Sequence, residues 1–143
     1  MTVKSILDEK GAGILSIGSE RTLLDAVKVL EKEGVGALVV STPEKALAGM
    51  LSERDIVRGL CRKGPDVLQD QVAEHMTSKV ITIAPEKSVV EAMEIMTEKR
   101  IRHLPVTQDE AMVGLISIGD VLKRRISSTE AEAQALKEYI STG

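Results

Sequence analysis

The sequence predicts an α+β fold, α/β-like in its order of elements, in which one β-α-β-β-α unit occurs twice. Residues 14–41 align with residues 80–107 at one constant offset and without a gap, which indicates an internal repeat. Within each copy, short runs of β-branched and aliphatic residues alternate with segments whose apolar residues follow helical spacing. Because repeat arrays usually need about three copies to bury their faces, we expect these two copies to close on each other as a pseudo-twofold pair.

Each copy opens with a predicted strand and a capped helix. A short aliphatic run, 14–17 in the first copy and 80–83 in the second, has the length and composition of a strand. A capping-box sequence follows, Thr22-Leu23-Leu24-Asp25 or Ser88-Val89-Val90-Glu91, and starts the first helix. The ends of these two helices are predicted near Gly34 and Arg100.

A hairpin and a second helix complete each copy. Two further strands flank a polar turn, and a serine starts the helix that follows them. Pro105 lies inside one of these strands, and its missing N–H predicts that its nitrogen faces an unpaired sheet edge. The predicted strands are 37–41, 47–51, 104–107 and 112–116, and the predicted second helices are 53–61 and 118–126.

Helical segments are predicted to surround the two copies. Apolar spacing over 3–7 indicates a short N-terminal helix, and a second helical segment follows a loop at Gly64-Pro65. Leu136 and Ile140 lie on one side of a polar helix predicted at 130–140. The predicted organisation is a helical lead-in at 1–13, a first repeat at 14–62, a linker at 63–79, a second repeat at 80–126 and a C-terminal helix or tail at 127–143.

The composition argues against several classes of partner. The formal net charge is -3, so no broad basic surface is available for nucleic acid. Tyr139 is the only aromatic residue, which leaves no platform for stacking exposed bases. The apolar runs are too short to span a bilayer, the N-terminus has no signal-peptide core, and the single cysteine, Cys61, is typical of a reducing compartment. We therefore expect no nucleic acid, no membrane and a cytoplasmic location.

Few side chains are suited to catalysis. The imidazole and thiol groups belong to His75, His103 and Cys61, and their spacing matches neither a metal site nor a nucleophile motif. No glycine-rich dinucleotide fingerprint links a strand to a helix. The sequence therefore predicts no catalytic residue, no metal site and no catalytic cofactor.

Two motifs of the form Gly-h-h-Ser-x-x-Asp, in which h is apolar, carry a resemblance to a known family. The chain resembles the cystathionine β-synthase (CBS) domain pair, or Bateman module, over 14–60 and 80–126. This resemblance implies that the two repeats pack their sheets together and leave two related clefts for ligands. The segments that carry it are Gly49-Met50-Leu51-Ser52-Glu53-Arg54-Asp55, Gly114-Leu115-Ile116-Ser117-Ile118-Gly119-Asp120, Arg100-Ile101-Arg102-His103-Leu104-Pro105-Val106 and the lead-in Val72-Ala73-Glu74-His75-Met76-Thr77.

The resemblance also implies an adenosine-containing ligand, such as AMP, ADP, ATP, NAD(H) or S-adenosylmethionine. In the family, the Asp of Ser-x-x-Asp accepts hydrogen bonds from both ribose hydroxyls, a role that falls on Asp55 beside Ser52 and on Asp120 beside Ser117. A vicinal diol suits an acceptor-only carboxylate, and each charge-assisted bond is worth about 1.5–3 kcal/mol. The alternative is that each Ser caps its helix while the Asp complements the helix dipole, and the two roles can coexist.

Contacts to phosphate and adenine follow from the same resemblance. Arg102 and His103 stand at positions that often contact phosphate, although a solvated strand end is the alternative. Gly36 stands where the second copy has Arg102, so charge in the first cleft must come from Arg54 or Arg58, and the two clefts are expected to differ in affinity. The candidates for packing adenine, each of which can equally be plain core, are Ile14, Val35, Val80 and Ile101.

The sequence thus predicts a non-enzymatic regulatory module that senses an adenine nucleotide (AMP, ATP or NAD(H)) as a homodimer, with an unidentified regulated protein as a further partner. The dimer follows from family habit and from apolar stripes on the outer helices. Two alternatives stay open. An interaction scaffold with degenerate clefts is disfavoured by the retention of both Asp55 and Asp120, and a small nucleotide enzyme is disfavoured by the scarcity of His and Cys.

Overall fold

The computed structural model describes residues 1–11 and 13–142. Ala12 of the predicted lead-in and Gly143 of the predicted tail lie outside the described residues. The chain divides into two compact units, which we call the first unit (Ile14–Ile81) and the second unit (Met1–Gly13 with Thr82–Gly143). Both units combine helices with a small sheet. The mixed α+β class predicted from the sequence is confirmed.

The elements of the two units follow each other in a repeated order. In the first unit, β1 is parallel to β2 and β2 is antiparallel to β3; in the second, β4 and β5 form an antiparallel hairpin. In chain order the elements are α1 (Val3–Lys10), β1 (Ser16–Gly18), α2 (Leu23–Glu33), β2 (Ala37–Ser41), β3 (Gly49–Ser52), α3 (Glu53–Lys63), two 3-10 turns (Pro65–Gln69 and Val72–Glu74), α4 (Val89–Lys99), β4 (His103–Gln108), β5 (Ala111–Ser117) and α5 (Ile118–Thr142).

Helix α2 shows how local sequence sets these elements. The Thr22 hydroxyl accepts from the N–H of Asp25 at 3.1 Å, and the Asp25 carboxylate accepts from the N–H of Thr22 at 3.2 Å, which is the predicted capping box. The helix ends at Gly34, whose φ of 65° is a left-handed conformation that suits glycine. Leu23 and Leu30 form the buried face, and burying each leucine stabilises the fold by about 1.5–3 kcal/mol.

An aliphatic core holds the first unit together. It joins one face of the sheet to α2, α3 and the turns that follow α3, and no aromatic side chain takes part among the described residues. Its buried members are Ile17, Leu23, Ala26, Leu30, Leu38, Val40, Leu51, Ile56, Val67 and Val72.

The first strand of the second repeat is shorter than predicted. Of residues 80–83, only Ile83 makes a β-bridge, to β4, so the prediction of a full strand there is wrong. In the first unit the N–H of Val39 donates to the carbonyl of Leu15 at 3.1 Å. The aligned residue in the second repeat is Pro105, which has no N–H to donate. The bridge between Ile83 and β4 uses the Pro105 carbonyl and the Thr107 N–H, so it needs no N–H from Pro105.

One long helix replaces two predicted helices at the C-terminal end. α5 runs unbroken from Ile118 to Thr142, whereas the sequence predicted separate helices at 118–126 and 130–140. The residues between the predicted helices include neither Gly nor Pro. In addition, the Thr129 hydroxyl donates to the Arg125 carbonyl at 2.9 Å, so this polar group is satisfied inside the helix.

Each unit is completed by the segment that precedes the other repeat in the chain. In the second unit, the N–H of Val3 donates to the carbonyl of Lys87 at 2.8 Å; in the first unit, the N–H of Val72 donates to the carbonyl of Arg21 at 2.8 Å. Both valine side chains are fully buried. α1 and the residues between the repeats are therefore equivalent lead-ins. Each lead-in belongs to the unit of the other repeat and not to that of the repeat that follows it in the chain.

The β4–β5 hairpin has a two-residue turn that its sequence fits poorly. Asp109 and Glu110 have φ values of 52° and 67°, the combination of a type I′ turn, which prefers Asn-Gly. Left-handed backbone costs most L-residues about 1–2 kcal/mol.

We therefore expect the double change Asp109→Asn/Glu110→Gly to raise the free energy of unfolding by about 0.5–1 kcal/mol, as measured by urea denaturation. Glu44→Gly, at a position without positive φ, is the control. An equal rise in the free energy of unfolding there would show that relief of left-handed backbone is not the cause.

Candidate functional site

The carboxylate of Asp55 is held at the start of α3. Its Oδ2 accepts from the N–H of Ser52 at 2.9 Å and from the hydroxyl of Ser52 at 3.1 Å. Nη1 of Arg58 donates to its Oδ1 at 3.3 Å. The residue is only 8% exposed. Asp55 is thus a helix-capping group with both oxygens in use, which is the geometry of the capping alternative.

Asp120 holds the equivalent position at the start of α5 in a more open environment. Its Oδ2 accepts from the N–H of Ser117 at 2.9 Å, and the Ser117 hydroxyl accepts from the N–H of Asp120 at 3.1 Å. Its side chain is 25% exposed. In the described part of the chain, no donor reaches its Oδ1. Asp120 therefore keeps one carboxylate oxygen for an incoming donor, and Asp55 does not.

The nearest charged partner of Asp120 is a lysine of α1. Nζ of Lys10 lies 2.7 Å from Oδ2 of Asp120 and donates to the carbonyl of Leu115 at 2.9 Å. Burial alone would raise the pKa of the Asp120 carboxyl, but the hydrogen bonds from Lys10 and from the N–H of Ser117 outweigh burial and hold the pKa below its ordinary value of 3.8. Asp120 is therefore a carboxylate at neutral pH with an ammonium group beside it.

Lys10 is a site residue that the repeat motifs do not indicate. It lies far from Asp120 in sequence, so no local pattern joins the two residues. The available signal is the equivalence of the lead-ins, because aligning Val3 with Val72 puts Lys10 opposite Lys79. The two carboxylates nevertheless have different cationic partners. Asp120 pairs with Lys10 of the lead-in, whereas Asp55 pairs with Arg58 of its own helix.

The Lys10–Asp120 pair predicts an acid-sensitive contribution to stability. Because the pKa of Asp120 is depressed in the folded protein, this contribution is fully present above the ordinary value of 3.8 and is lost as the pH falls through the folded-state value. We expect Lys10→Met to lower the free energy of unfolding by about 0.2–1 kcal/mol at pH ~7, the range for exposed pairs. The deficit relative to the unmodified protein should shrink at pH ~3, which urea denaturation at both pH values measures.

Lys4→Met is the matched control for this prediction. Lys4 lies in the same helix and its Nζ is 3.2 Å from Oδ2 of Asp8, but both side chains are about two-thirds exposed, at 68% and 64%. We expect a smaller loss of stability from Lys4→Met than from Lys10→Met. A Lys10→Met deficit that stayed constant between neutral and acidic pH would rule out Asp120 as the titrating group.

Main-chain contacts bring the backbone of the predicted phosphate residues Arg102 and His103 to the start of α5. In β4, His103 is the register partner of Ser117, and the first N–H of α5 donates to the carbonyl of Arg102 at 2.8 Å. In the first unit, the first N–H of α3 donates to the carbonyl of Gly36 at 3.0 Å. Each unit thus brings the start of a strand to the start of a helix that carries an Asp. Only the second unit has a cationic residue, Arg102, at that strand start.

A cavity of about 430 Å³ in the first unit is lined by α2 and α3. It includes Val35 and Gly36, two of the predicted ligand-contact residues. Neither Ser52 nor Asp55 is among its described lining residues, so the structure does not bring all predicted contacts of the first repeat into one pocket. The other lining residues are Val27, Leu30, Glu31, Gly34, Glu53, Ile56 and Val57.

The remaining predicted contacts lie at half-buried or exposed positions. Arg54 is exposed on α3, and it is Arg58, one turn later, whose guanidinium reaches Asp55. Ile14, Val80 and Ile101 are half-buried, so each has apolar surface that solvent can reach. These three residues remain candidates for contact with a base.

The arrangement offers hydrogen-bond acceptors and cations rather than reactive groups. Asp55 and Asp120 supply carboxylates at the starts of helices, with Arg58 and Lys10 beside them. Within 1–11 and 13–142, no group of three or more metal-binding side chains is assembled. No helix in that same part of the chain is both long enough and apolar enough to cross a bilayer.

Comparisons with known proteins relate these features to a family. The CBS domain profile matches twice, at residues 4–62 and 72–127. The CBS domain-containing protein CBSX3, mitochondrial, of Arabidopsis thaliana is 39% identical over 150 residues, which cover 99% of this chain and 73% of that protein.

Solved structures share the fold. The CBS-domain containing protein ATU1752 from Agrobacterium tumefaciens matches with a TM-score of 0.85 and 35% identity, over 87% of this chain and 92% of that one. The CBS domain protein PAE2072 from Pyrobaculum aerophilum, complexed with AMP, matches with a TM-score of 0.73 and 25% identity, over 84% of this chain and 89% of that one. Sequence motifs, family profile and solved structures agree, and the chain belongs to the CBS-domain family.

Proposed function

We propose that this chain is a non-catalytic regulatory module that binds an adenosine-containing ligand, with the ribose diol held by Asp120. The observation that carries the proposal is the open Oδ1 of this carboxylate at the start of α5. The lowered pKa of Asp120 keeps the carboxyl group ionised at neutral pH. A diol presents two donors to the two carboxylate oxygens. The complex of PAE2072 with AMP supports an adenosine ligand in a relative of this fold.

The second unit is the stronger of the two proposed sites. The first N–H of α5 donates to the backbone carbonyl of Arg102, and His103 is the register partner of Ser117. These main-chain contacts support the proposal that the Arg102 and His103 side chains contact a phosphate. Ile101 is the proposed apolar contact of the adenine in this unit. Val80, the other candidate from the second repeat, lies in the first unit as the structure divides the chain. In this proposal the ligand is AMP, ATP or NAD(H), and all three share the adenosine that Asp120 recognises.

Asp55 is proposed as a second, weaker ribose acceptor. Its carboxylate is only 8% exposed and is already bonded to Ser52 and Arg58, so a ligand must displace Arg58 to use both oxygens. Gly36 supplies no charge where the second unit has Arg102. The proposed first site therefore uses Ser52, Arg54, Val35 and Ile14 around Asp55, with lower affinity than the second site.

The proposed assembly is a cytoplasmic homodimer that acts on a regulated protein. A ligand can change the state of such a dimer only if it binds one arrangement more tightly than another. Cys61 is exposed as a free thiol, which favours a reducing compartment.

An interaction scaffold without nucleotide affinity is the second candidate function. It is favoured by the contacts that already occupy the carboxylates, namely Arg58 on Asp55 and Lys10 on Asp120. In that case the acids act only as helix caps and the helices carry the partner surface.

Equilibrium titration of the full chain with AMP, ATP and NADH separates the two functions. The regulatory module predicts saturable binding of at least one of them, and weaker binding of 2′-deoxy-AMP by about tenfold or more, since one charge-assisted bond is worth about 1.5–3 kcal/mol. Mass spectrometry of small molecules that copurify with the native protein identifies the ligand. No binding of any of the three nucleotides would favour the scaffold.

A further inference from the structure

The C-terminal half of α5 is exposed to solvent along its described length. Val121 in its first turn is fully buried, whereas every side chain described from 129 to 141 is exposed. Leu136 and Ile140 are 59% and 68% exposed. Because a helix without tertiary contacts is only marginally stable in water, large aliphatic side chains on this segment point to a packing partner.

The exposed aliphatic residues have coiled-coil spacing. Successive positions are separated alternately by four and three residues, the repeat that keeps one seam facing a partner helix. Ile126 and Ile140 take a positions, while Leu122 and Leu136 take d positions. In a parallel coiled coil, Ile at a with Leu at d favours two strands. We call this set the α5 seam, and it consists of Leu122, Ile126, Thr129, Ala133, Leu136 and Ile140.

The α5 seam lies on a different face from the one that packs into the second unit. From Val121 onward, the less exposed positions of the helix are Val121, Arg124 and Ser128, whose spacing puts them on a face of their own. Leu122 and Ile126 belong to the same turns and are nevertheless 43% and 57% exposed. The seam is therefore accessible from its first turn onward.

Charges beside the seam select a second copy of this helix in parallel. In a parallel pair, each g position faces the following e position of the partner helix. Arg125 then meets Glu130 of the second copy, and Glu132 meets Lys137 of the second copy, so both pairs are opposite in charge. An antiparallel pair with full overlap brings Glu130 of the two copies together instead. Like charges in such positions are unfavourable.

We propose that residues 122–140 of α5 pair in parallel with the same residues of a second copy as a short two-stranded coiled coil. This inference deepens the dimer of the proposed function and does not depend on nucleotide binding. Asp120 lies at the start of the same helix. The dimer seam and the proposed ligand carboxylate are consequently carried by one continuous element.

Two alanines of α5 provide a matched test of the seam. Ala133 is an a position, whereas Ala131 is an f position on the outer face of a coiled coil. We expect Ala133→Asp to raise the dimer dissociation constant of the full chain at least about 100-fold and Ala131→Asp to leave it unchanged, because only the first change buries like charges in the seam. Sedimentation equilibrium measures both constants, and thermal unfolding checks that the second unit stays folded.

An exchange of charges tests the parallel register. Arg125→Glu alone should weaken the dimer, because it faces Glu130 of the second copy. Adding Glu130→Arg to the same chain should restore the affinity, since the opposite charges again meet between copies. An antiparallel pair predicts no restoration, because the arginines introduced into the two copies would then face each other.

Cross-linking near the helix end gives the orientation directly. In a Cys61→Ser background, Ile140→Cys should form an intermolecular disulfide on oxidation, since the helix ends meet only in a parallel pair. Suppose that Ala133→Asp dissociates the dimer but Ile140→Cys forms no intermolecular disulfide. That result would overturn the parallel arrangement. A monomer, or a dimer that Ala133→Asp leaves intact, would overturn the seam itself. If Val57→Glu in α3 then dissociated that dimer, the interface would lie on the first unit.

Discussion

Asp120→Asn is expected to weaken the binding of AMP by about 10- to 100-fold while leaving the second unit folded. A carboxylate can accept from both ribose hydroxyls, whereas an amide presents one acceptor and one donor, so one hydroxyl loses its charge-assisted partner. The amide keeps an oxygen for the N–H of Ser117, which lies 2.9 Å from Oδ2 in the structure. Isothermal titration calorimetry with AMP measures the loss.

Asp25→Asn is the control that separates capping from ligand binding. Asp25 closes the same kind of capping box at the start of α2, but it has no proposed ligand contact. It should lower stability slightly and leave AMP affinity unchanged. Asp55→Asn should remove only the weaker site. Unchanged AMP affinity in both Asp120→Asn and Asp55→Asn would reject the ribose role for these carboxylates.

Gly49→Ala is expected to destabilise the first unit by about 1–3 kcal/mol, the usual cost of overpacking. A Cβ at this position would lie 2.8 Å from the carbonyl oxygen of Thr77 and 2.7 Å from the sulfur of Met76. Thr77 and Met50 exchange two backbone hydrogen bonds, of 3.0 and 2.8 Å, so this carbonyl cannot move away without breaking a bridge. Urea denaturation followed by circular dichroism measures the change.

Gly114→Ala is the matched variant in the second unit. Gly114 is the repeat equivalent of Gly49, but a Cβ there meets the side-chain end of Leu7, with Cδ2 at 2.5 Å. Because a leucine side chain can change rotamer, we expect a smaller loss than at Gly49. Gly13→Ala, with nothing within 4 Å, should have little effect. Equal losses at Gly49 and Gly114 would contradict the distinction between backbone and side-chain obstacles.

The elements that the sequence predicts well are those set by neighbouring residues. The capping boxes at Thr22 and Ser88 and the helix ends at Gly34 and Arg100 agree with the structure. Capping and helix termination depend on contacts within about one turn, so a single sequence contains the information. The strand predicted at 80–83 fails for a tertiary reason, since its pairing depends on a donor that Pro105 lacks.

In the candidate site, too, the sequence predicts the features set by neighbouring residues but not those set by tertiary contacts. The Ser-x-x-Asp motifs locate Asp55 and Asp120 at the starts of α3 and α5, where the structure has them. Their exposure and their cationic partners do not follow from the motifs. Lys10 reaches Asp120 only because α1 packs in the second unit, and no local pattern around either residue encodes that contact. The greater openness of Asp120 is therefore a property of the folded unit.

The exchange of lead-ins sets the order in which a nascent chain can finish its two units. Ile14–Ile81 is contiguous, so all of its segments are synthesised before the rest of the second repeat. α1 is synthesised before its hydrogen-bond partner Lys87, so the hydrogen bond between them cannot form until Lys87 has emerged. A fragment cut as Ile14–Ile81 keeps its whole unit, whereas a fragment that starts at Thr82 loses Val3 and the lysine that faces Asp120.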